Sequence, residues 1–409
     1  REWVKIGHDV TIIAASFSHL RHKNSDISVI TEEVIDGIRY IWLPVNKYQG
    51  NGVMRFKNML AFIYQLYHNL GKLAQIEPDV VIASSTYPLD SYPAYKLARM
   101  TGAKFAFELH DLWPLSPMEL GGMSKWHPFI MLMQRGEDFW CRHADKVISI
   151  LPKTEEYLRT RGLKGGKFCH IPNGIVLSEY DNVLPLKADY AELLDKLHNS
   201  GKFLIGFAGA HGIANALNVL LYAAQKLQNT DAYFVLVGQG QEKENLKALV
   251  QKLKLDNVLF LDSIPKKMVP AFLNKMDVLY IGWQNKPIYR FGISPNKLMD
   301  YMMAAKPILH SVTAGNDLVQ EAHCGISVPA EDVDAVADAV KKFIAMDKAD
   351  LSVLGENGKE YVVKQIATND DEMSAFLFSL GCYSGEPITV VARKRRNLVV
   401  SIKDARYNI

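Results

Sequence analysis

Residues 291–302, Phe291-Gly292-Ile293-Ser294-Pro295-Asn296-Lys297-Leu298-Met299-Asp300-Tyr301-Met302, run from a glycine loop straight into a helical pattern with a carboxylate on its first turns. Gly292 lets the backbone approach a ligand closely. Ser294 is placed to cap the helix, and Pro295 suits the first helical position, where its missing N–H costs nothing. The free N–H groups and the positive end of the helix dipole would then favour an anionic, phosphorylated ligand, and Asp300 could accept hydrogen bonds from sugar hydroxyls. An ordinary capped helix accounts for the same residues, so the surroundings have to decide.

Working outward, short β-branched runs alternate with helix-length segments. The first half offers strands at 10–14, 38–43, 80–83, 104–108, 146–150 and 168–171, and the second half at 203–208, 233–237, 258–261, 278–281, 307–310 and 326–328. Runs that are polar only at their ends fit parallel strands buried on both faces. The expectation is an α/β chain of two doubly wound, Rossmann-like domains, with the boundary in the polar segment 177–200. Ligands bind at the carboxyl ends of such strands, here in a cleft between the domains.

Three further loops follow strand ends in the second half. Gly209-Ala210-His211-Gly212-Ile213-Ala214-Asn215 is a second glycine turn opening a helix with Leu217, Leu220, Leu221, Ala224 and Leu227 on its apolar face, and so a second candidate phosphate cradle. Gly238-Gln239-Gly240 is a lone G-x-G, equally a tight turn. Asp262-Ser263-Ile264-Pro265 exposes backbone that could pair with the edge of a nucleobase, or is a plain turn.

Composition narrows the function classes. The 409 residues are 48% hydrophobic, enough for two cores. With 47 basic and 44 acidic residues the formal net charge is +3, which gives no support to nucleic-acid binding. Cys141, Cys169, Cys324 and Cys382 are widely spaced with no metal-ligand pattern, which fits a reduced cytoplasmic compartment and no structural zinc. No apolar run reaches the roughly 18 residues of a spanning helix, and no signal peptide is seen.

These residues resemble the GT-B glycosyltransferases, specifically the retaining group called family 4, which uses nucleotide-diphosphate sugars. The resemblance runs from Ile6-Gly7-His8-Asp9-Val10 through Ile171-Pro172-Asn173-Gly174-Ile175 to 291–307 and 321–325, covering about residues 1–365. Gly209-Ala210-His211-Gly212 with Ser294-Pro295-Asn296-Lys297 is similar to the branch that builds bacterial surface polysaccharides, which includes the L-fucosamine transferase group. The resemblance implies an acceptor-side domain at 1–183, a nucleotide-sugar domain at 184–352 and a closing helix at 353–367. Donor contacts would come from Gly209, His211, Gly212, Gly238, Gly240, Ile264, Arg290, Gly292, Ile293, Ser294, Asn296, Lys297 and Asp300.

Two departures from the family pattern matter. Asp300 falls where the family's second glutamate meets the ribose, but the first glutamate's position is not acidic. The family's Arg and Lys-Gly pair is also replaced by the Ala210-His211-Gly212 turn. Neutralising the diphosphate therefore falls to Lys297, with Arg290 second.

In the first domain, Phe107-Glu108-Leu109-His110-Asp111-Leu112-Trp113-Pro114 ends a strand. The resemblance puts His110 near the reacting sugar and Asp111 in orienting the sugar or the acceptor. A histidine satisfied by a local turn remains the alternative. Glu137 and Asp138 read as a solvated helix face. No Asp-x-Asp pair stands at a strand end, so metal-independent transfer without a cofactor is expected, from a UDP-linked donor to a lipid-linked saccharide acceptor. Segments 48–67 and 123–133, rich in aromatic and methionine residues, fit either a membrane interface or core helices, the former on the inner face of the bacterial plasma membrane.

Both ends depart from the family. Arg1 to Val10 resembles the end of the family's first helix, so its first strand and glycine-rich loop are expected to be missing. Residues 368–409 resemble part of the small β-barrel FeoA-like accessory domain of ferrous-iron transport, with a hairpin of 388–392 and 398–402 around Arg393-Lys394-Arg395-Arg396-Asn397, as in a fusion or chimeric frame. A nucleotide-sugar epimerase of the same fold and an inactive nucleotide-binding fragment stand as alternatives.

Overall fold

A computed structural model describes residues 1–363 except 19, 20, 22, 23, 25, 26 and 51, together with the backbone of 389–393, 398–402 and 405–408. The chain divides into two compact units. The first comprises Arg1–Ile148 and Glu155–Phe168, and the second Ser149–Thr154 and Cys169–Ile409.

Strands β1 (Thr11–Ala15), β2 (Thr31–Ile35) and β3 (Ile38–Leu43) form a sheet of order β1-β3-β2, in which β3 runs parallel to β1 and antiparallel to β2. Strands β4 (Val80–Ala83), β5 (Lys104–Leu109), β6 (Lys146–Ser149) and β7 (Phe168–His170) follow in a second sheet of order β4-β5-β6-β7. β2 had no counterpart in the sequence reading. It is an edge strand, mostly exposed, and its charged residues hide the period-two signal. The readable clue was Asp36-Gly37, both with positive φ, the two-residue turn that closes the β2–β3 hairpin.

The second unit carries β8 (Phe203–Ala208), β9 (Ala232–Val237), β10 (Val258–Leu261), β11 (Val278–Gly282), β12 (Ile308–Ser311) and β13 (Gly325–Val328). All pair in parallel, in the order β10-β9-β8-β11-β12-β13. The direction of winding reverses between β8 and β11, so a crevice forms outside their carboxyl ends. Both faces are covered, which is why the strands read as continuous apolar runs: β8 sends Ile205 and Phe207 into one layer, and Leu204 and Ala208 into the other. At a rough 1.5–3 kcal/mol per fully buried large apolar side chain, these two layers are the main drive for folding the unit. Helix Lys348–Val363 packs on helix Asn296–Met303, where a Cβ at Gly355 would lie 2.0 Å from the Ala305 carbonyl oxygen.

Towards the end of the chain, β14 (Thr389–Arg393), β15 (Leu398–Ile402) and β16 (Ala405–Asn408) form an antiparallel sheet with a bulge between Val390 and Ala392. The hairpin read from sequence is present, with a third strand added. Its basic turn residues 394–397, the end of the closing helix at 364–367 and residues 368–388 lie outside the described residues.

Candidate active site

The loops after β8 and β11 meet at the reversal point. Lys297, on the first turn of helix Asn296–Met303, donates to Asn215 Oδ1 at 2.5 Å and lies 4.6 Å from the Phe207 ring centre. A Cβ at Gly209 would lie 3.4 Å from its ammonium nitrogen. Asn215 is held in turn by donating to the Ala210 carbonyl at 2.8 Å. Burial lowers the Lys297 pKa to about 8, so the cation is poorly hydrated and gains most when an anion arrives.

The G-x-G after β9 braces this turn. A Cβ at Gly238 would stand 1.9 Å from the Gly209 carbonyl oxygen, and one at Gly240 would stand 2.4 Å from that of His211. His211 N–H donates to the Gln239 carbonyl at 2.9 Å. Lys243, buried, donates to the Gly238 and Leu261 carbonyls and to Asp262 Oδ1, tying the loops after β9 and β10 together. Nothing in the sequence marked it, because a lysine on a polar helix face is the rule. His211 is fully buried and neither ring nitrogen has a hydrogen-bond partner among the described residues. Burial, with Lys243 and Lys297 near, lowers its pKa to about 4, so it is neutral at pH 7.

Two readings of the loops are corrected. Ser294 does not cap the helix, whose cap position is Pro295 and carries no side-chain cap bond. Its hydroxyl instead accepts from Asn173 N–H at 2.9 Å while Asn173 Nδ2 donates to the Ser294 carbonyl at 2.6 Å. Gly212 does not open the helix after β8 either. A short 3-10 turn, Ile213–Asn215, and left-handed Ala216 intervene before Leu217–Lys226. Arg290 folds onto its own loop, donating to the Pro287 carbonyl at 2.7 Å with its guanidinium 4.2 Å from the Phe291 ring centre.

Gly292 (φ +98°) is required by close approach, since a Cβ there would sit 2.6 Å from Pro152 Cδ and 2.9 Å from Asn316 Oδ1. Asn316 also binds both backbone groups of buried Ile293, accepting at 2.7 Å and donating at 3.1 Å. Asp300 accepts from the Tyr180 hydroxyl. Asn296 is exposed at the helix start, and Ile264 packs on the second apolar layer.

In the first unit, His110 follows β5 and its Nε2 lies 2.9 Å from Ser84 Oγ and 3.3 Å from Glu108 Oε2, which itself accepts from Ser84 at 2.6 Å. The Glu108 hydrogen bond raises the His110 pKa against the opposing effect of burial. Asp111 accepts from Trp113 Nε1 at 3.1 Å and from the Ser116 hydroxyl, so it shapes the turn after His110. Ser84 and Glu108 went unread: Ser84 lies just past β4, and Glu108 shows its value only through alternation, two residues before His110. Glu137 is the opposite of solvated. It is fully buried, accepting from Gln134 at 2.6 Å and Tyr157 at 2.7 Å, with Arg161 at 3.7 Å, while Asp138 binds Arg161 at 2.6 Å.

Segments 48–67 and 123–133 are neither wholly core nor wholly exposed: Met59, Phe62 and Ile130 are buried, whereas Val53 is 71% and Trp126 72% exposed. No helix among the described residues is long and apolar enough to cross a membrane, and no cluster of three or more His, Cys, Asp or Glu among them is arranged to hold a metal ion.

Comparisons with known proteins agree with this layout. A family model described as "Glycosyl transferases group 1" matches residues 202–346, one described as "Glycosyl transferase 4-like domain" matches 1–174, and one described as "FeoA domain" matches 355–409. The chain is 24% identical over 313 residues to the probable glycosyltransferase WbjE of Pseudomonas aeruginosa, covering 74% of this chain and 77% of WbjE. It is 22% identical over 368 residues to WcaI of Escherichia coli (strain K12), a glycosyl transferase assigned to colanic acid biosynthesis, covering 85% and 87%. Among solved structures, Anabaena HepE in complex with UDP and glucose superposes with a TM-score of 0.59 at 14% identity, covering 84% of this chain and 87% of HepE.

Proposed function

For a chain that belongs to the family 4 glycosyltransferases of GT-B fold, with a FeoA domain at its C-terminal end, we propose retaining transfer of a sugar from a UDP-sugar to a lipid-linked saccharide acceptor in bacterial surface-polysaccharide synthesis. The site of action would be the cytoplasmic face of the membrane. Support for the polysaccharide setting comes from WcaI, and for the uridine donor from HepE.

The observation that carries this reading is Lys297 held by Asn215 over the Gly209 turn at the reversal point of the sheet. The bond between the anomeric carbon and the diphosphate oxygen breaks, the acceptor hydroxyl attacks from the same face, and its proton passes to the departing oxygen. Lys297 and the N-terminus of helix Asn296–Met303 stabilise the negative charge that builds on the diphosphate, with no metal ion assigned to the task. Asp300, released from Tyr180, binds the ribose. His110, with its charge favoured by Glu108, answers the charge changes at the sugar.

Thermal unfolding with UDP, GDP or neither tests the donor assignment, because ligand at about 100 times its Kd adds roughly 2.7 kcal/mol. UDP stabilisation that disappears in Asp300→Ala is expected. A folded protein indifferent to both nucleotides overturns the assignment, and product formed from donor alone would make the chain an epimerase.

A further inference from the structure

In the second unit, Ile175 and Leu186 pack on the second apolar layer. The chain between them lies on the surface, with Val176, Val183 and Leu184 exposed. Its short 3-10 turn, Leu177–Tyr180, sends two side chains to loops of the donor site. The Tyr180 hydroxyl donates to Asp300 Oδ1. Glu179 Oε2 accepts from Lys266 Nζ at 2.5 Å, and the Leu184 N–H donates to the Lys267 carbonyl at 2.9 Å. Lys266 and Lys267 directly follow Pro265, the end of the loop read as facing the nucleobase edge. Residues 177–184 are thus tied on one side to the carboxylate assigned to the ribose and on the other to the loop assigned to the base.

These ties are weak, and what undoes the central one is specific. The Glu179 and Lys266 side chains are 43% and 75% exposed, where water and salt leave an ion pair little holding power. Tyr180 and Asp300 are both half-buried. Burial, and then the Asp300 carboxylate, raise the pKa of the phenol, so it keeps its proton and gives Asp300 one charge-assisted hydrogen bond. A hydroxyl donating to a carboxylate is also what a ribose offers, and a ribose offers two on adjacent carbons. A diphosphate, being an anion rich in acceptors, cannot take the place of the phenol.

We propose that residues 177–184 form a strap that closes the nucleoside seat of the free protein, with the Tyr180 hydroxyl standing in for a ribose hydroxyl on Asp300 until the incoming nucleotide displaces it. The inference rests on the donor reading of Asp300 and adds that the free chain blocks its own site. Apparent affinity for the nucleotide is then the intrinsic affinity reduced by the fraction of chains whose Asp300 is open. Weakening the strap raises that fraction.

The test is calorimetric titration of the full chain with UDP and, separately, with inorganic pyrophosphate, in the parent and in Tyr180→Phe. Phenylalanine keeps the ring and removes only the donor. UDP should bind Tyr180→Phe about three- to tenfold more tightly than the parent, the scale of one charge-assisted hydrogen bond half open to water. Pyrophosphate, whose assigned partners are Lys297 and the helix terminus, should bind both proteins equally. The sign of the UDP change separates the strap from a merely structural tyrosine, whose loss would not strengthen binding. Weaker UDP binding in Tyr180→Phe would make Tyr180 an orienting partner of Asp300 and overturn the strap. Unchanged UDP binding, or an equal gain for pyrophosphate, would overturn it as well, and all three results leave the donor reading standing. UDP bound by neither protein would overturn the donor reading and the strap with it.

Discussion

Lys297 reaches back across the reversal point of the second sheet to Asn215, 82 residues earlier in the chain, at 2.5 Å. The contact aims a cation at a glycine turn in a setting where burial has lowered its pKa to about 8.

Lys297→Ala should weaken UDP binding by at least about tenfold, worth roughly 1.4 kcal/mol. In the parent, UDP affinity should fall as pH rises through about 8, because the free protein loses the proton that the bound anion needs. The stability of the free protein moves the other way. Its folded pKa is below the unfolded value, so the unfolded chain binds more protons above pH 8 and stability rises with pH in that range. Calorimetric titration across pH 7–9 reads the first effect; pH-independent affinity would remove Lys297 from the diphosphate.

Glu108→Gln should move the His110 titration, followed by NMR, down toward about 6.5. The stability His110 gains from Glu108 is fully present below the unfolded pKa and is lost as pH rises through the raised folded one. His110→Ala should lower kcat on the order of 10² with little change in UDP binding, the usual scale for a positioned proton-transfer or electrostatic group. An unshifted titration in Glu108→Gln would separate the two residues.

Glu137 and Asp90 are buried carboxyls with pKa values raised by burial to about 7. Their folded values exceed their unfolded ones, so the folded chain binds more protons in the window between about 4.5 and 7, and stability should fall as pH rises through it. Glu137→Gln keeps the acceptor from Tyr157 without the charge, and should flatten that fall as measured by Tm from pH 5 to 7. A parent whose Tm climbs across the same range would contradict the assignment.

Gly240→Ala would press a methyl against the His211 backbone at 2.4 Å. The turn after β8 or the Gly240 loop must shift, at a cost of about 1–3 kcal/mol, with loss of UDP stabilisation expected in the folded fraction. Chemical denaturation gives the first number and thermal shift the second.

Transfer should persist in excess EDTA, since the cationic work is assigned to Lys297 and a helix terminus rather than to an ion. Complete loss, restored by a divalent cation, would reassign it.

The sequence by itself determined the run of strands, because a segment buried on both faces must be apolar along its length: 203–208, 258–261 and 38–43 were legible to the residue. It also marked Gly209, Gly292 and Lys297, where backbone freedom and charge sit beside a helix start. Tertiary structure alone decided what those residues touch. Ser294 read as a cap because caps are local, yet its partner is Asn173, 121 residues away. Glu137 read as solvated because charge prefers water, yet Tyr157 and Arg161 from farther along the chain, with Gln134 on its own helix, provide for it inside. Periodicity reports that a face is buried, never against what. The distant partners, such as Asn173 for Ser294 and Asn215 for Lys297, are set by strand order and loop approach, which no local window of residues contains.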